Sequence, residues 1–266
     1  MPEFQGYGLN VQNLGLTDEV LAHAELAKDP LYRKIPKDRL AYYVDRSLQR
    51  GREAAQTCRG MSIRELYRRD GLRHEITDRS GTFHHLSLRA QIDFAKTPPE
   101  VVVYAASLRG MADAYRAIMS PGEQAQRLNH TADAKPEPGN ALQPSGLSPD
   151  PLSEHASAPQ DEELERLVDI HLAHEYFHYL EYRAGQFTND MLEPVEVFRL
   201  GRRLVKRSSI VQCSEIAAHA FCKEMMGLLF LPNVLDYAFL IQNGSLSEEA
   251  FCREVESWKS GHAAAL

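Results

Sequence analysis

His174-Glu175-Tyr176-Phe177-His178 is an HExxH pentad. Two histidines four residues apart share one face of a helix, so their ring nitrogens can converge on a single metal ion. The glutamate after the first histidine then lies close enough to take a proton from a water that the ion activates. A catalytic zinc site needs a third protein ligand and one open position. The candidate is Glu215, in Ser214-Glu215-Ile216-Ala217-Ala218-His219-Ala220-Phe221. It is an acid among Ile210, Val211, Ile216, Ala217, Ala220 and Phe221, and a charge in so apolar a segment is costly unless a cation or partner compensates it. The competing readings are bland: histidines on a solvated helix face, and a glutamate on the exposed side of an amphipathic helix.

Two helices must position these groups. Over about 161–184, Asp161, Glu162 and Glu163 give the acidic first turn that favours a helix start. Leu164, Leu167, Val168, Leu172, Tyr176 and Leu180 recur at spacings of three and four, and Gly185 follows as a stop signal. His171, His174 and His178 fall on one stripe of this helix. The second helix is predicted from Ser209 and Gln212, a capping-box pattern, to Leu231, ending at Pro232. It places Glu215 and His219 one turn apart on the same face.

An HExxH helix followed by a helix carrying Glu-x-x-Ala-[Asn/His]-x-Phe, here Glu215-Ile216-Ala217-Ala218-His219-Ala220-Phe221, resembles the ImmA/IrrE family of metallopeptidases. The likeness covers roughly residues 62–231, and the upstream order of a helix, three short strands and then the metal helix is similar too. The resemblance implies a zincin-like α+β fold and one zinc ion, with manganese as an alternative. It makes His174, His178 and Glu215 the metal ligands, a gluzincin-type set, and Glu175 the general base that later protonates the leaving amine. It implies a regulatory endopeptidase that cleaves a protein substrate, a transcriptional repressor of the helix-turn-helix type. His219 is then a supporting partner or substrate contact, and Tyr104, Tyr179 and Tyr182 are candidates to stabilise the oxyanion.

The remaining segments fall into four parts. Residues 1–60 read as a helical N-terminal extension, interrupted at Asp29-Pro30 and Ile35-Pro36, with Leu40, Tyr43, Val44 and Leu48 as a packing stripe. Residues 61–119 begin with a short helix at the capping box Ser62-Ile63-Arg64-Glu65. Strand-like segments follow at Leu72 to Ile76, Phe83 to Phe94 and Val101 to Ser107, expected as a three-stranded antiparallel sheet, then a helix from Leu108 to Met119. His84 and His85, adjacent on a strand, would point to opposite faces and serve no common ion. Residues 120–160 hold seven of the 14 prolines and no Val, Ile, Phe, Tyr, Trp or Met, the composition of a flexible insert. Residues 161–266 carry the metal helices and end in amphipathic helix, with Trp258 expected to dock on the core.

Hydrophobic content of 43% and charged content of 25% are those of an ordinary globular chain. No apolar run approaches the roughly 18–20 residues that span a bilayer, and the first residues lack the order of a signal peptide. Cys58, Cys213, Cys222 and Cys252 form no CxxC pair. A cytoplasmic protein without membrane partners is the expectation. The net charge of −7 is uneven: Arg33 to Arg73 holds 12 Lys+Arg against 5 Asp+Glu. No DNA-reading motif accompanies this, so nucleic acid is not the expected partner. Two other functions compete with the peptidase. One is a non-catalytic metal-binding regulator, to which an intact Glu175 is superfluous. The other is a di-iron carboxylate protein, which needs two ExxH motifs where the chain offers only Glu175-x-x-His178.

Overall fold

In the N-terminal part, apolar spacing and prolines dictate the breaks. A computed structural model describes residues 14–83, 86–119, 159–201 and 204–263. Helix α1 (Asp18–Leu26) starts at Thr17, whose hydroxyl accepts from the Val20 amide at 3.3 Å. Two 3-10 turns, Tyr32–Lys34 and Lys37–Arg39, occupy the proline-punctuated stretch before α2 (Leu40–Thr57). The predicted stripe Leu40, Tyr43, Val44 and Leu48 is buried. Helix α3 (Ile63–Asp70) has both halves of the Ser62–Glu65 capping box and stops at Gly71 in the left-handed conformation.

The strand region departs from the expectation. Strands β1 (Arg73–Thr77), β4 (Ala90–Asp93) and β5 (Glu100–Tyr104) form one sheet in the order β1-β5-β4. β5 is parallel to β1 and antiparallel to β4, so the sheet is mixed, not antiparallel throughout. The physical reason is the long connection from β1 to β5. It contains a separate small hairpin of β2 (Gly81–Phe83) and β3 (Leu86–Leu88) and then β4, which gives β5 the reach to re-enter beside β1 in the same direction. The run from Phe83 to Phe94 is therefore several pieces instead of one strand. His84 and His85 lie outside the described residues. The helix expected from Leu108 is likewise two, α4 (Ala105–Arg109) and α5 (Ala112–Met119), broken at Gly110 and Met111.

Helix α6 (Pro159–Ala184) runs through the centre of the molecule. Its Leu167, Val168, Ile170, Leu172, Ala173, Tyr176 and Phe177 are buried, because it packs on α3, α4, α5, the sheet and α8. Most of the expected insert, residues 120–158, lies outside the described residues. After α6 come a short helix α7 (Thr188–Met191) and a hairpin of β6 (Val195–Leu200) and β7 (Leu204–Ser208), which the reading of the sequence did not assign.

Helix α8 (Gln212–Met226) ends at left-handed Gly227, short of the predicted Leu231. The Ser209–Gln212 capping box does not form either, since the Ser209 hydroxyl donates to Asp190 at 3.0 Å. The Gln212 amide instead donates to Asp29 Oδ2 at 3.1 Å, so a residue from the loop after α1 caps α8. Helix α2 lies along α8 at very short range: a Cβ on Gly51 would sit 2.1 Å from the Ala217 carbonyl oxygen. Helices α9 (Val234–Gln242) and α10 (Glu248–Ala263) close the molecule, and Trp258 is buried against Tyr237 and Phe251. The fold is mixed α+β with small sheets. Among the described residues no helix is long and apolar enough to cross a membrane.

Candidate metal centre

The HExxH spacing sets two imidazoles on one face of α6, and α8 crosses opposite them with Glu215 in its first turn. His174 Nε2 lies 3.1 Å from His178 Nε2 and 3.1 Å from Glu215 Oε2, and His178 Nε2 lies 3.5 Å from Glu215 Oε1. Among the described residues, these three form the group of His, Cys, Asp or Glu able to share a metal ion. Bonds of about 2.0–2.1 Å from zinc to nitrogen and oxygen require donor separations of roughly 3.3 Å in a tetrahedron. The observed separations of 3.1–3.5 Å, with each Glu215 oxygen facing one imidazole, come close to this without any helix movement, so the donor set fits zinc. All three predicted ligands meet.

Glu175 sits beside them. Its Oε2 accepts from the Ile92 amide on β4 at 3.1 Å, which anchors one carboxylate oxygen and leaves the other unassigned. Burial raises the Glu175 pKa, and the neighbouring His174 and His178 only partly oppose it. A carboxylate of raised basicity suits proton transfer near neutral pH. At His178, burial works against the charged form, but the carboxylates of Glu181 and Glu215 outweigh it and hold the pKa well above the usual histidine value. At Glu215, partial burial is likewise outweighed by His174 and His178, and the pKa falls well below the carboxylate norm. The imidazole and the carboxylates thus hold one another in their charged forms.

The other candidates divide. His219 lies on the wall of the same cavity, its ring centre 4.9 Å from that of His174 and its Nε2 3.8 Å from Glu25 Oε2. Burial, then the neighbouring His174, holds it well below the usual pKa and hence neutral. His171 also faces the cavity, but its Nδ1 bonds to the Leu167 carbonyl oxygen at 2.7 Å, and burial pushes its pKa down to about 3. The three tyrosines do not gather at the site. Tyr182 stacks on Phe94 at 4.2 Å, Tyr179 lies under the Arg183 guanidinium, and Tyr104 covers Gly81. None of them lines the cavity.

The cavity has a volume of about 440 Å³, within the range that holds a ligand or a short peptide segment. Its floor carries His174, His178, Glu175 and Glu215, and one wall is the run from Leu88 to Ile92. The rest of the lining includes Glu25 and Lys28, paired at 2.7 Å, with Asn233 and Asp236, the last of which pairs with Arg89 of that run. The reading of the sequence missed this part of the lining, because nothing local links α1 and α9 to the pentad. It also missed Glu181, a buried acid that faces His178 Nδ1 at 3.4 Å. A signal existed there: an acid one turn beyond a ligand histidine in an apolar helix is as costly as Glu215, and so invites the same question. Compared with known proteins, the chain matches no family model, no curated protein and no solved structure.

Proposed function

We propose that the chain is a metal-dependent endopeptidase with a zincin-like centre of the ImmA/IrrE type. One observation carries the reading: the imidazole nitrogens and carboxylate oxygens of three residues on two helices stand 3.1–3.5 Å apart, with Glu175 beside them. His174, His178 and Glu215 would hold the ion, zinc by default and manganese as the alternative. When bound, such an ion supplies Lewis-acid activation of a water and of the scissile carbonyl.

The chain's own residues do the rest. Glu175 takes the proton from the attacking water and returns it to the nitrogen of the departing amine. The Ile92 amide holds the carboxylate so that the proton-carrying oxygen keeps one direction. That amide points away from β5, and β4 is an end strand of its sheet, so its free edge faces the cavity. An extended peptide can add to such an edge through main-chain hydrogen bonds, which favours a polypeptide substrate over a small molecule. A helix-turn-helix repressor is the substrate we put forward, from the resemblance of the two ligand motifs.

Co-expression of the chain with repressors of that class, read by fragment mass, tests the proposal. The wild type should cut its substrate. Glu175→Gln should keep metal and fold while losing about 10²–10⁴-fold in turnover. Equal cutting by that variant rejects the role of Glu175. Full metal content in a His174→Ala/His178→Ala double variant rejects the centre itself.

A further inference from the structure

Glu181 is 2% exposed, and its two carboxylate oxygens serve different elements. Oε1 accepts from the Thr188 amide at 2.7 Å and the Thr188 hydroxyl at 2.6 Å, and lies 3.2 Å from the Ser214 hydroxyl, whose one proton it shares with Asn189 Oδ1 at 3.1 Å. Oε2 faces His178 Nδ1 at 3.4 Å. Ser214 immediately precedes Glu215, so one buried carboxylate touches a ligand on α6 and the neighbour of a ligand on α8.

We propose that Glu181 is a positioning residue for metal capture: it fixes the proton of His178 on Nδ1 and braces the helix of Glu215 through Ser214. The inference rests on the metal-centre reading above. A carboxylate has no proton to give, so the imidazole nitrogen that faces it must be the N–H. In the neutral form that an ion on Nε2 would select over the charged one, the imidazole carries this single proton and the lone pair belongs to Nε2. That nitrogen is the one turned toward His174 Nε2 at 3.1 Å and Glu215 Oε1 at 3.5 Å. Oε1 already holds both donors of Thr188. The carboxylate therefore cannot turn away from His178 without leaving the buried Thr188 amide unpaired. A purely structural duty, starting α7, accounts for the Oε1 contacts but gives no reason for Oε2 to meet a ligand histidine. The carboxylate–histidine–metal relay, in contrast, calls for both.

Glu181→Gln is the test, because it keeps shape and one oxygen for Thr188. Its amide nitrogen then faces His178 Nδ1 and selects the wrong tautomer, with the proton on Nε2. Zinc affinity, measured by competition with a chelating indicator, should fall about 10–100-fold while the variant stays folded. In zinc-loaded wild type, nitrogen NMR of histidine-labelled protein should show a slowly exchanging proton on His178 Nδ1. Variant affinity within about threefold of wild type overturns the inference, well short of the loss expected for an outer-sphere partner. If the variant does not fold, a His178 Nδ1 without a proton in the wild-type spectrum overturns it equally. A wild type that takes up no zinc overturns the metal-centre reading, and this inference with it.

Discussion

Gly51→Ala adds one methyl group at the place where two helices touch backbone to backbone. The new Cβ would stand 2.1 Å from the Ala217 carbonyl oxygen, 2.8 Å from Ala220 Cβ and 2.9 Å from the Phe221 amide nitrogen, where ordinary contact begins at 3.4 Å. Backbone atoms cannot rotate away, so α8 must back off by about 1 Å, and overpacking of this kind costs roughly 1–3 kcal/mol. Alanine is the better helix former by about 0.8–1.0 kcal/mol, which offsets part of the loss. The net expectation is a destabilisation of up to about 2 kcal/mol, a fall in Tm of up to several degrees for a chain of this size. Metal binding should suffer more. Glu215 lies on the same helix two residues before Ala217, and ligand distances tolerate only about 0.2 Å. Urea denaturation of the metal-free protein and zinc competition titration read the two effects separately. A variant more stable than wild type, with zinc affinity unchanged, would refute the claim that this helix crossing sets the place of Glu215.

Asp29→Ala removes the two oxygens that accept from the Leu31 and Gln212 amides and should cost about 1–2 kcal/mol in urea denaturation, whereas Asp29→Asn, which keeps one of the two acceptors, should recover only part of that. An alanine variant as stable as wild type would show that the cap contributes nothing. His171 gives a pH dependence. Its folded pKa of about 3 lies below the unfolded value near 6.5, so the unfolded chain binds the extra proton between these limits. Its contribution is therefore complete above pH 6.5 and is lost progressively as pH falls toward 3. Between pH 7 and 5 the loss from this residue is about 2 kcal/mol. His171→Gln should flatten the acid slope of stability by that amount, and an unchanged slope would contradict the buried neutral imidazole.

What the sequence disclosed and what it hid follow the range of the interactions. The pentad was legible because four residues make one helical turn, and Glu215 because an acid amid Ile216, Ala217 and Phe221 needs a cation or a partner. The Ser62–Glu65 box was legible for the same local reason. By contrast, α8 owes its start to Asp29, and no local pattern near Ser209 reveals a cap from so distant a residue. The β6–β7 hairpin escaped because a bulge between Glu196 and Phe198 shifts the alternation that marks a strand. The pairing of β1 with β5 depends on how the chain returns, which composition does not record.

The dependence of α8 on α1 and α2 also bears on synthesis. Asp29 and Gly51 leave the ribosome early, yet the groups they serve, Gln212 and Ala217, are translated far later, and Asn233, which donates to the Leu21 carbonyl oxygen, later still. Contacts of such wide sequence separation form only when both ends are out. A nascent chain halted before α8 would hold the two imidazoles without the carboxylate that faces them, and the proposed centre would be incomplete. The three-residue cluster is completed late, with the final quarter of the polypeptide.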